Sequence, residues 1–102
     1  MAHFAVTTVH GRNWDTAKPG LSGIRQQDAF DKHAAFMDQL VEDGFIILGG
    51  PLDDGAQALL IVQAANEAEI IARFADDPWD PMDMLHVGEI RPIAIWLDGR
   101  QS

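Results

Sequence analysis

The chain has 102 residues, of which 47% are hydrophobic and 23% charged, a composition that suits one globular domain with one modest core and argues against bulk disorder. Seven basic against sixteen acidic residues leave a formal charge of −9, which repels phosphate backbones and anionic lipid and so argues against nucleic-acid and membrane partners. With no cysteine, disulfides, thiolate nucleophiles and cysteine-ligated zinc are excluded, and any chemistry falls to His, Asp, Glu or a bound group.

No apolar run approaches the roughly 20 residues of a membrane span, and the opening MAHFAVTTVHG lacks the charged start and long apolar stretch of a secretory signal. A cytoplasmic protein is the expectation. Residues 3–10, HFAVTTVH, are rich in β-branched and aromatic side chains and stop at Gly11, which predicts a first strand. Residues 11–24 then read as a loop, long enough for such a small domain to act as a lid or binding loop.

From Asp28 to Asp43 the pattern is helical, with Gly44 in the position that ends helices in a left-handed turn. FIILGGPL and AQALLIVQ are apolar runs separated by Asp53, Asp54 and Gly55, which predicts an antiparallel hairpin. Asn66 and Glu69 have the spacing of a helix cap and its third-residue partner, opening a second helix that runs to about Asp76. The last strand lies within LHVGEIRPIAIWL, where Pro92 lacks a ladder donor and marks an edge or a bulge.

The order βαββαβ predicts an α+β, ferredoxin-like domain spanning 1–102, with its core at about 3–97 and the two helices on one face of an antiparallel sheet. Several strands are apolar on both faces, so the uncovered face calls for a cover. A second copy packed sheet to sheet, giving a homodimer, is the preferred arrangement; the alternative is that the last strand or tail folds over that face.

On a helical wheel Ala29, Phe30, Phe36, Met37, Leu40 and Val41 form an apolar stripe with His33 in its middle. A buried imidazole needs a hydrogen-bond partner. On the second helix Ile70, Phe74 and Asp77 fall at i, i+4 and i+7, so Asp77 continues the buried stripe while Asp76 turns to solvent. If the two helices run antiparallel, the end of the second reaches His33. A carboxylate there would fix the imidazole tautomer and support its proton uptake, making His33 and Asp77 the candidate catalytic pair.

Arg12, Asn13, Trp14, Lys18 and Arg25 belong to the loop side, and Trp14 and Trp79 suit the apolar walls of a small pocket. Arg12, Trp14, Arg25 and Trp79 are the candidate substrate-binding residues. His3, His10 and His86 show no tight metal-ligand spacing, so neither a metal nor another cofactor is expected. Against the catalytic reading stand two ordinary roles: a lone His on an apolar helix face as a satisfied core residue, and an Asp before Pro as a turn former.

The run H-x2-F-M-x2-L-x3-G-F-I-I-L-G-G-P-L from His33 to Leu52, followed by a hairpin strand, a helix and Asp77-Pro78-Trp79, resembles the YCII-related family over Phe4 to Trp96. The resemblance implies a ferredoxin-like dimeric α/β barrel and a pocket with a His-Asp pair, matched here by His33 and Asp77. Many members carry an Arg three residues before that His. Phe30 stands there in this chain, and Arg25 is the residue able to substitute from the loop.

The expectation is a small dimeric enzyme using His33 and Asp77 for acid/base chemistry, by elimination, isomerisation or hydrolysis, on a small polar organic molecule. A non-catalytic small-molecule binding or sensing domain, and an interaction module beside an enzyme or regulator, are the alternatives.

Overall fold

The computed structural model describes residues 2–100. Four strands and three helices follow in the order β1 (Ala2–His10), α1 (Gly20–Ile24), α2 (Phe30–Glu42), β2 (Ile46–Leu52), β3 (Gln57–Ala64), α3 (Glu67–Phe74) and β4 (Leu85–Ile93). The strands form one antiparallel sheet in the order β2-β3-β1-β4. The domain is therefore α+β with ferredoxin-like topology, as the element order predicts.

Alternation along β1 sends Phe4, Val6 and Thr8 to the helix side, where all three are buried. They meet Leu60, Val62 and Ala64 of β3, Phe45 and Ile46 at the start of β2, Leu40 of α2, and Ile70 and Phe74 of α3. One core thus fills the space between the sheet and the two longer helices. Full burial of each of these large side chains contributes roughly 1.5–3 kcal/mol.

Helix α3 begins where the cap spacing places it. The Asn66 side chain accepts from Glu69 N at 2.9 Å, and the Glu69 carboxylate accepts from Ala65 N at 2.7 Å. Helix α2 starts two residues later than its periodicity suggests, because Ala29 is left-handed (φ 58°) and keeps Asp28 outside the helix. The segment 11–24 is not loop throughout: Pro19 sets an extended residue ahead of Gly20, and α1 occupies the last five positions.

Strand β4 is an edge strand, which accommodates Pro92, and it carries a bulge where Val6 pairs with Ile90 but Thr8 with Val87. It ends at Ile93, and residues 94–98 are not strand. On the sheet face away from α2 and α3, Leu48 and Ile93 are exposed, and beyond them Trp96 and Leu97 are 89% and 94% exposed. The tail borders a groove over Leu48, Ile61 and Ile93 without laying those two side chains onto the sheet. Among the described residues no helix is long and apolar enough to cross a membrane.

Candidate functional site

The turn after α3 determines the geometry of the site. Its hydrogen bonds continue one step beyond the helix, Asp76 N to Arg73 O and Asp77 N to Phe74 O, so Asp77 keeps the helical phase of Ile70 and Phe74 although α3 has ended. Asp77 is 3% exposed, whereas Asp76 is open to solvent. One oxygen of Asp77, Oδ1, accepts from Trp79 N at 2.9 Å; the other, Oδ2, accepts from His33 Nδ1 at 2.7 Å. The aspartate is a turn former and the partner of the helix histidine at once.

The end of α3 meets α2 at a second point, where Arg73 pairs with Asp43 at 3.3 Å and its guanidinium lies over the Phe45 ring. These contacts fix where the Asp77 turn sits along α2. The His33 side chain is 12% exposed and stacks on Trp79 with ring centroids 3.8 Å apart and planes 8° from parallel. Trp79 is buried, and its indole N–H donates to Asp28 O at 2.7 Å. The imidazole is therefore held by a carboxylate in its plane and an aromatic ring against its face.

With Nδ1–H donating to Asp77, the second ring nitrogen, Nε2, carries the lone pair of the neutral ring. His33, Trp79 and Trp14 border one cavity of about 480 Å³, within the size range of small-molecule sites. Ile24 of α1, Met37 and Val41 of α2, Leu60 of β3 and Leu85 of β4 supply apolar wall, and Gly49 and Gly50 of β2 supply backbone. A Cβ on Gly49 would stand 2.6 Å from the Leu60 side chain and 2.7 Å from Leu59 O, so β2 approaches β3 this closely only without a side chain there.

The 11–24 segment reaches the cavity through two side chains, Trp14 and Ile24. Arg12 stands apart, 85% exposed and paired with Asp83 at 3.4 Å. Arg25 borders a separate surface depression beside Gln26 and Lys32. Asn13 is tied to Met82 O, and Lys18 to Asp15. Phe30 lies 6.1 Å from Trp79 and 6.4 Å from His33 by ring centroids.

His10 also borders the cavity, a role that its lack of metal-ligand spacing does not reveal. It stacks on Trp14 at 3.7 Å with planes 9° apart, and Trp14 in turn meets Trp79 edge to face at 5.2 Å. Burial lowers the His10 pKa, opposed by the Gly55 backbone and the Asp54 charge. The signal was present in the strand period: His10 continues Phe4, Val6 and Thr8 on the helix side of β1. The cavity thus has an imidazole–indole stack at each of two places on its wall.

The fold is α+β and ferredoxin-like, and it places the His33–Asp77 hydrogen bond beside an apolar cavity. The YCII-related domain model matches residues 14–94, and the chain belongs to that family. Neither a curated protein nor a solved structure gives a match. Most of the cavity wall falls within the matched span, while Thr8 and His10 precede it.

Proposed function

We propose that the protein is a small homodimeric enzyme that moves a proton on a small organic molecule bound beside His33. The observation that supports this reading best is the 2.7 Å hydrogen bond between His33 Nδ1 and Asp77 Oδ2, on an imidazole bordering a cavity of about 480 Å³. Nε2 takes the proton in one step and returns it in the next; Asp77 positions the ring and stabilises the imidazolium between the two. Elimination, isomerisation and hydrolysis all use such a step. The setting of this reading is the cytoplasm, and no cofactor enters it.

A second copy completes the assembly by covering the outer sheet face. Leu48, Leu52, Val9 and Ile93 are exposed there, with Trp96 and Leu97 beyond β4, apolar side chains that a second copy would remove from water. A binding or sensing domain without turnover is the second reading, favoured by the two stacked aromatic pairs, which suit retention of a ligand as well as reaction.

The test is hydrogen–deuterium exchange at the carbon next to a carbonyl, followed by NMR over a panel of small ketones, esters and lactones in D2O. Exchange faster than buffer with the native protein, and at the buffer rate with His33→Ala, is expected. Ligand-induced shifts without any His33-dependent exchange would replace the enzyme by the binding domain.

A further inference from the structure

The charges around the cavity narrow what it admits. None of the chain's seven Lys and Arg residues borders it. Arg12, Lys18, Arg73 and Arg100 are each paired with an aspartate, at Asp83, Asp15, Asp43 and Asp98. Arg25 and Lys32 face the separate depression near Phe30, and Arg91 lies on the edge strand β4. Among the described residues the carboxylate on the wall is Asp38, with Asp77 hydrogen-bonded to His33, and the whole chain carries −9.

An anionic ligand would enter this space without a cation to receive it. His33 does not supply one, because its proton uptake only balances Asp77, leaving the pair with no net charge. Burial keeps His10 uncharged at neutral pH. An unpaired charge removed from water is costly, and nearby negative charge adds to that cost. The polar groups that do face the cavity suit a neutral carbonyl compound: Thr8, whose Oγ1 already accepts from Ala58 N at 3.2 Å and so has its own proton left to donate to an oxygen, and the lone pair of His33 Nε2, which can take a proton from the carbon beside it.

Building on the reading of His33 as the proton-transfer group, we infer that the cavity selects an uncharged molecule with an apolar or aromatic body and a carbonyl-type acceptor, and rejects organic acids of the same shape. The indoles of Trp14 and Trp79 receive the body. Thr8 is the donor available to its oxygen, and His33 Nε2 is the base for the proton beside it.

Acetophenone, benzoate and benzylamine share one ring and differ in charge, so NMR titration of the native protein with each, read on the ring signals of His10 and His33, separates the cases. Acetophenone should bind at least about tenfold more tightly than either ion, a difference of about 1.4 kcal/mol. In Val41→Arg, which places a cation at a half-exposed position on the wall, benzoate should gain at least as much. Equal or tighter binding of benzoate or benzylamine to the native protein, or no binding by acetophenone at millimolar concentration, overturns the inference. Tight acetophenone binding together with no His33-dependent exchange would instead sink the enzyme reading and leave the ligand class standing.

Discussion

Trp79 holds both halves of the His33–Asp77 pair: its backbone N–H fixes one oxygen of Asp77 at 2.9 Å while its indole lies flat on the imidazole at 3.8 Å. A five-residue stretch after α3, Asp76 to Asp80, thus carries the turn, the carboxylate and the aromatic support of the site.

Asp77→Ala removes the acceptor of two buried hydrogen bonds and should lower stability by about 1.5–3 kcal/mol, whereas Asp76→Ala, at an exposed position, should change it by less than about 0.5 kcal/mol. Urea denaturation of both variants measures this. Equal effects would mean that the inward aspartate has no special structural weight.

Trp79→Phe keeps an aromatic ring against His33 but removes the donor to Asp28 O, and should cost about 1 kcal/mol. Trp79→Ala removes the ring as well and should cost about 3–5 kcal/mol. A Phe variant as unstable as the Ala variant would show that the hydrogen bond, and not the ring, holds the turn.

Two other histidines make stability depend on pH in opposite senses. His86 lies between Asp83 and Asp80, at 2.5 and 2.6 Å, and their hydrogen bonds raise its pKa above 6.5. Its contribution is fully present below 6.5 and disappears as pH rises through the higher folded value. Burial lowers the pKa of His10, so its contribution is present above 6.5 and is lost as pH falls through the lower folded value. Denaturation midpoints between about pH 5 and 8 should therefore lose their alkaline decline in His86→Gln and part of their acid decline in His10→Gln. Unchanged profiles in both would remove these residues from the pH response.

Gly49→Ala and Gly50→Ala differ by one position on β2 and should differ in outcome. A Cβ at Gly49 meets the Leu60 side chain and Leu59 O, while one at Gly50 meets nothing within 4 Å. The first should destabilise by about 1–3 kcal/mol through overpacking, and the second should be close to neutral. Thermal denaturation distinguishes them.

Sedimentation should show a dimer at micromolar concentration, shifted toward monomer by Leu48→Asp on the outer sheet face. A native protein that sediments as a monomer would refute sheet-to-sheet assembly.

The short helix α1 was not legible in the sequence, but the order of the four strands and two longer helices, the hairpin at Asp53–Gly55 and the Asn66 cap were, because each depends on period and on residues close in the chain. So was the inward phase of Asp77 against the outward phase of Asp76, since helical phase persists for one more turn of hydrogen bonds beyond Phe74. The meeting of His33 and Asp77 followed from the two helical phases, but most other contacts across the fold were not legible. Arg12 is a near neighbour of Trp14 in the chain and Arg25 directly follows the cavity residue Ile24, yet Arg12 turns to Asp83 and Arg25 to another surface, because long charged side chains go where water and counter-charges are. Trp79 joins His33 through a ring stack between segments far apart in the chain, and His10 joins Trp14 across the turn that leaves β1, contacts that strand and helix period do not encode. The cavity and its lack of a cation are properties of those long-range contacts, and only the packed tertiary structure decided them.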